Sequence, residues 1–214
     1  WRSQDWQHVG DQNQMDKLLQ IQQACSGDLD AFNQIVLENQ SIVFNYVLWM
    51  VNDQTSAEDL TQETFIRAFQ HLRGYRGGSI RAWLLRIAAN ASLDELRRRK
   101  RHTMISLTCF NCEDEEVETP PWLKDPGPST EEKVEQQELC ECLQQYLNEL
   151  PEEYRQAILL VDVLEMDYSE AAIAMGTPMG TVKSRLARAR MLMRKRLENA
   201  SENSPIYSFR DAWS

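Results

Sequence analysis

Tyr168-Ser169-Glu170-Ala171-Ala172-Ile173-Ala174-Met175, then Gly176-Thr177-Pro178, then Met179-Gly180-Thr181-Val182-Lys183-Ser184-Arg185-Leu186-Ala187-Arg188-Ala189-Arg190 follow one another without a break. The first piece reads as a short, Ala-rich amphipathic helix. Gly176 is a natural stop, because glycine enters the left-handed region without a Cβ penalty. Thr177 is placed to cap the next helix, and Pro178 suits its first position, where no N–H is needed. Helices joined by so short a turn cross steeply, which predicts a helix-turn-helix.

The second helix has two faces. At about 100° per residue, Val182, Leu186, Ala189, Met193 and Leu197 form one apolar stripe. Thr181, Ser184, Arg188 and Lys195 lie opposite, with Lys183, Arg185, Arg190, Arg194 and Arg196 on the flanks. Ala171 to Leu197 contains seven Lys/Arg and no Asp/Glu. A charge run is ordinarily just a solvated face. An unopposed basic face behind a helix, a Gly turn and a helix start favours the reading of DNA.

The net charge of −10 over 214 residues argues against a DNA binder until its distribution is read. Residues 113–141 hold eleven acids against Lys124 and Lys133, whereas Arg97 to Arg101 is an unbroken basic run. Local patches, not the chain-wide sum, govern attraction to phosphate. The longest apolar stretch, Ile42 to Val51, is broken by Asn45 and falls far short of the roughly 18 residues of a membrane span. The start carries no basic-plus-apolar leader pattern, and the expectation is a cytoplasmic protein without membrane insertion. Five cysteines, an odd number without small-scaffold spacing, fit reduced thiols.

Taken in order, residues 1–14 are polar and Gln-rich and receive no fold; Met15 is a candidate natural start. Leu18 to Val51 reads as two helices parted near Ser26-Gly27-Asp28, with Phe32, Ile35, Val36, Val43, Tyr46, Val47 and Met50 as core. Ser56-Ala57-Glu58-Asp59 resembles a capping box opening a third helix. Leu60, Phe65, Ala68, Phe69 and Leu72 form its inner side, and Asp59, Gln62 and Glu63 share an outer face. The Gly-rich loop Arg73–Ser79 matches no nucleotide fingerprint. Ile80 to Arg101 is a further helix, packing through Trp83, Leu84, Ile87, Ala88 and Ala91. Acid and proline make residues 103–130 an extended linker. Helix resumes at Glu131, and Ala157, Ile158, Leu160, Val161 and Leu164 complete a second core. No strand-like alternation appears, so the predicted fold is all-α. Two small helical domains, 15–102 and 131–200, flank the acidic linker, with a C-terminal tail at 201–214.

These residues in this order resemble a bacterial sigma factor of the extracytoplasmic-function group of the sigma-70 family. In the first half the resemblance rests on Gly27-Asp28 with Ala31-Phe32, on Ala57 to Phe65, and on Trp83-Leu84 through Asn90 to the Arg97–Arg101 run. In the second it rests on Leu150-Pro151-Glu152 and on Gly180 to Arg190. One departure is Ala171-Ala172-Ile173-Ala174, where the family more often shows Glu-Ile-Ala. The first domain then resembles region 2, which docks on the clamp helices of the polymerase β′ subunit and recognises the −10 element. The second resembles region 4, which reads the −35 element. The resemblance implies that Asp59, Gln62 and Glu63 bind polymerase. It places Tyr75, Arg76 and Asn90, with Arg97, Arg98, Arg99, Lys100 and Arg101, at −10 DNA. Thr181, Lys183, Ser184, Arg185, Arg188 and Arg190 fall at −35 DNA. Core RNA polymerase, through the β′ clamp and β flap, and promoter DNA are the implied partners, and an anti-sigma factor is left open. Neither catalysis nor a cofactor is implied.

Two rival readings stand beside this one. A helix-turn-helix repressor would leave Asp59, Gln62, Glu63 and the acidic linker unexplained. A thiol or zinc sensor would use Cys109, Cys112, Cys140 and Cys142, whose C-x2-C and C-x-C spacing is a weak match to known ligand sets. Histidines His8, His71 and His102 assemble with no evident nucleophile, which disfavours an enzyme.

Overall fold

The computed structural model describes residues 18–106 and 142–199. Both tails, the whole acidic stretch 113–141 with the helix start expected at Glu131, and Cys109, Cys112 and Cys140 lie outside the described residues. Among the described residues every regular element is a helix.

Helix α1 (residues 18–26) ends at Gly27, whose φ of +106° turns the chain. Asp28 then caps α2 (Leu29–Val51), its carboxylate accepting from the N–H groups of Asp30 and Ala31 at 2.9 and 3.2 Å. The break at Ser26-Gly27-Asp28 is therefore where the sequence put it. Helix α3 (Gln54–His71) starts earlier than expected. Asp53 is its cap, accepting from Ser56 N at 2.9 Å, so Ser56 lies inside the first turn. Phe69, expected inside, is 45 % exposed, while Thr64 is fully buried with its hydroxyl donating to Leu60 O.

Helix α4 (Ile80–Ser106) continues into the stretch read as linker. It is apolar on more than one side: Leu84, Ala88 and Ala91 are buried, and so are Ala82, Leu85 and Ala89. The reason is that α4 packs against α2 and α3 and also against the second half of the chain.

That second half begins with α5 (residues 142–149) and α6 (Glu152–Ile158), which runs into a π turn at Leu159–Val163. Helix α7 (Tyr168–Met175) is capped by Asp167, whose Oδ1 accepts from the N–H groups of Ser169 and Glu170 and from the Ser169 hydroxyl. Gly176 ends it at φ +62°, with Thr177 N donating to Ala172 O at 3.1 Å. Helix α8 (Met179–Asn199) follows. Here the expected cap is corrected. The Pro178 carbonyl accepts the first bonds of α8, from Thr181 and Val182, and Thr177 Oγ1 is buried without a partner among the described residues. Thr177 is consumed by the turn that closes α7, and the helix starts one residue later.

The two halves share one hydrophobic cluster, α7 lying on α4 and α6 with its π turn lying on α2. Arg155 is central to the junction and 6 % exposed. Its guanidinium donates to Leu147 O and Asn148 O at 2.9 and 2.7 Å, and to Met50 O of the first half at 2.7 Å. Each small helical bundle was foreseen; their packing on one another was not.

Candidate nucleic-acid interface and docking face

The apolar stripe of α8 is fully inside. Val182, Leu186, Ala189, Met193 and Leu197 are each no more than 3 % exposed. This seats the opposite face outward, with Lys183, Ser184, Arg188 and Arg190 exposed and Thr181 and Arg185 half-buried. Ser184 donates to Thr181 O at 3.0 Å within the helix, leaving its oxygen free to accept. Lys183 Nζ lies 5.3 Å from the centre of the Tyr168 ring. Arg188 Nη1 reaches the Tyr154 hydroxyl at 3.4 Å. Arg190 grips Asp162 through two bonds of 3.1 and 2.6 Å. Sequence reasoning missed Tyr154 and Asp162, which come from α6 and its π turn and share no helical spacing with α8.

A second surface is built by the loop after α3 and by α4. Gly77 and Gly78 hold φ of +93° and +98°, conformations open to glycine. The Tyr75 hydroxyl donates to Gly78 O at 2.6 Å, and its ring meets Trp83 edge-on with centroids 5.4 Å apart. Trp83 thus lies under the loop as a platform. Burial raises the Tyr75 phenol above its ordinary value. Arg76 and Asn90 are exposed. Asn90 stands two helical turns after Trp83 and so on the same side of α4.

The basic run is not presented uniformly. Arg97 pairs with Asp94 at 3.2 Å, Arg98 with Glu95 at 2.7 Å, and Lys100 with Glu152 at 2.6 Å. Arg99 turns inward instead of outward: it bonds Glu95, Val51 O, Asp53 and Ser56 Oγ, stapling α4 to the start of α3. Arg101 is exposed. The hydrogen bond from Arg98, supported by that from Arg99, outweighs partial burial and pulls the Glu95 carboxyl down to about 2.

The third surface is the outer face of α3. Asp59 and Gln62 are exposed, and Glu63 pairs with Arg67 one turn on at 2.6 Å. Beside it runs an apolar groove lined by Leu29, Phe32, Phe65, Ile66 and Phe69. Of the four cysteines of the thiol alternative, Cys142 alone lies among the described residues, and it is half-buried.

Residues 35–102 match the family model described as Sigma-70 region 2, and residues 140–193 match Sigma-70, region 4. The extracytoplasmic-function sigma factor SigM of Bacillus subtilis is 34 % identical over 161 residues, covering 75 % of this chain and 91 % of that protein. The chain belongs to the extracytoplasmic-function sigma factors of the sigma-70 family. SigE of Mycolicibacterium smegmatis, of the same group, is also 34 % identical over 176 residues, spanning 82 % of this chain and 65 % of that one. Among solved structures, the sigma factor RpoE of Bartonella quintana, in complex with the anti-sigma factor NepR, aligns with TM-score 0.61 at 27 % identity. That alignment covers 79 % of this chain and 98 % of that one. All three surfaces of this sigma factor fall within the two matched regions.

Proposed function

We propose that this sigma factor binds bacterial core RNA polymerase and directs initiation at promoters carrying −10 and −35 elements. The observation that carries the reading is the pairing, in one chain, of the exposed α8 face with the Tyr75–Trp83 loop and Asn90 on α4. A repressor needs one DNA surface, and this chain has two of different kinds. Ser184 and Arg188 read −35 base edges in the major groove, while Thr181, Lys183, Arg185 and Arg190 lie toward the backbone. At the −10 element Tyr75 stacks on a base, Asn90 hydrogen-bonds its edge, and Arg76 neutralises phosphate. Arg97, Arg98, Lys100 and Arg101 lie toward the duplex, and Arg99 supports them from within α4.

Asp59, Gln62 and Glu63 form the docking face for the polymerase clamp. The residues 15–102 and 131–200 then act as the two functional units, with the β flap contacting the second. The chain works in the cytoplasm, as a binding protein without catalysis of its own. An anti-sigma factor is a fitting regulator, since a solved relative was captured with one.

The docking face supplies the test. The Asp59→Lys/Glu63→Lys variant should keep its helical circular dichroism and lose affinity for core polymerase, read by co-elution or biolayer interferometry. Full affinity in a folded double variant would remove these residues from the docking face.

A further inference from the structure

The outward face of α8 is met by side chains from three other elements. Lys183 lies over the Tyr168 ring of α7, Arg190 is gripped by Asp162 of the π turn, and Arg188 meets the Tyr154 hydroxyl of α6. Of these cations only Arg188 is assigned to a base edge, so only its neighbour can bear on which base is chosen. Cations held toward the backbone act alike on every sequence.

Tyr154 sits in the first turn of α6, where its N–H and that of Arg155 donate to Pro151 O at 2.9 and 3.0 Å. The roll of α6 is fixed by the next residue, for Arg155 is buried and its guanidinium donates to Leu147 O and Asn148 O. The Tyr154 ring is half-buried and packs against the hydrophobic cluster. A tyrosine side chain turns about only two angles, so a packed ring leaves its hydroxyl little freedom. That hydroxyl emerges beside α8 and accepts from Arg188 Nη1 at 3.4 Å, in an exposed position. Packing needs the ring and not the oxygen, which water could satisfy at such a site.

The consequence of the oxygen falls on Arg188. A long exposed arginine samples many rotamers, whereas a guanine takes it only with two N–H groups aligned to O6 and N7. The guanidinium carries its five N–H donors in a fixed fork. A bond at Nη1 leaves the Nε–Nη2 edge whole for such a pair. An arginine tethered in this way has less freedom left to lose when it binds.

We infer that Tyr154 is a positioning residue for −35 recognition, its hydroxyl aiming Arg188 and so sharpening the choice of guanine at the one position that Arg188 reads. The inference rests on the proposed reading of α8 and adds to it a residue from outside the recognition helix.

Tyr154→Phe tests it, because the change removes the oxygen and keeps the ring. Holoenzyme assembled from core polymerase and the full chain is given two promoters in competition that differ at a single −35 base pair. The ratio of their transcripts is measured position by position for wild type, Tyr154→Phe, Arg188→Ala and the double variant, with thermal melts of the free chains alongside. Tyr154→Phe should melt as wild type does. It should lower the ratio about two- to fivefold, the scale of one net hydrogen bond, at the position that Arg188→Ala relaxes and at no other. In the Arg188→Ala background it should change nothing further, since the group it aims is gone. A ratio unmoved by Tyr154→Phe would overturn the proposal, as would an equal loss in the Arg188→Ala background. Weakening of every promoter alike would also overturn it, by making Tyr154 a phosphate contact in its own right. Arg188→Ala without effect on any ratio would refute the base-reading assignment and the positioning role with it, whereas an effect of Arg188→Ala alone refutes only the positioning role.

Discussion

Arg190 and Arg188 show how far a charge on the right face of a helix falls short of a free DNA ligand. Both stand outward on α8, but Arg190 is held by both oxygens of Asp162, a carboxylate only 13 % exposed. An Arg so paired arrives at DNA already neutralised. Asp162→Asn should free it and steepen the dependence of log K on log salt for a −35 duplex by about 0.9, the value of one phosphate contact. Fluorescence anisotropy across a KCl series reads this, and an unchanged slope would mean that Arg190 never reaches the backbone. Arg188→Ala should relax preference at one −35 position, since an Arg–guanine pair carries about 1–3 kcal/mol of discrimination. Arg97 and Arg99 divide in a similar way. Arg99→Ala strands Val51 O and Asp53 and should cost about 1–3 kcal/mol of stability. Arg97→Ala should stay within roughly 0.5 kcal/mol in thermal melts and weaken DNA binding instead. The five-residue basic run was legible as charge, but the inward turn of Arg99 was not. Beside Glu95 one turn away, its partners Val51, Asp53 and Ser56 lie more than 40 residues upstream, across a tertiary contact that no local spacing encodes.

At the scale of the element, α7, its turn and α8 were readable because their signals are local. Gly176 takes the left-handed conformation that the sequence assigned it, and the apolar stripe of α8 is buried residue for residue. An alanine Cβ at position 176 would meet Arg86 at an ordinary 3.5 Å, so Gly176→Ala should cost only the backbone strain, about 1–2 kcal/mol. The misplaced cap at Thr177 has a local cause too, since a Schellman turn and an N-cap competed for the same residues and the turn won. Helix α4 carries a pH-sensitive clasp in Glu95. Its folded pKa is depressed, so its stabilisation is present above the ordinary value of 4.5 and is lost as pH falls toward about 2. Thermal melts should therefore fall between pH 4.5 and 2 in the wild type. Glu95→Gln should be less stable at neutral pH and flatter across that window.

For the molecule as a whole, the sequence disclosed two helical bundles and their order, and the structure adds that they share a core. A signal for the junction existed: α4 is apolar on two sides, with Ala82, Leu85 and Ala89 beyond what α2 and α3 alone require. Without the fold, small residues on a second face read as helix propensity and not as a docking surface. Arg155 was equally silent, because its third hydrogen bond goes to a carbonyl 105 residues upstream. The α8 face was legible from its helical period and charge, whereas the other two candidate surfaces were legible only through family resemblance, for Asp59, Gln62 and Glu63 look like any wet helix face until a partner is supplied. The most direct measurement of the central claim is transcription from a genomic template library by core RNA polymerase, with and without this protein, with the RNA 5′ ends mapped. The account expects starts that depend on the protein and share two sequence blocks, one near −10 and one near −35, with the −35 block alone relaxed by Arg188→Ala. Binding to DNA without new starts, or starts sharing a single block, would contradict it.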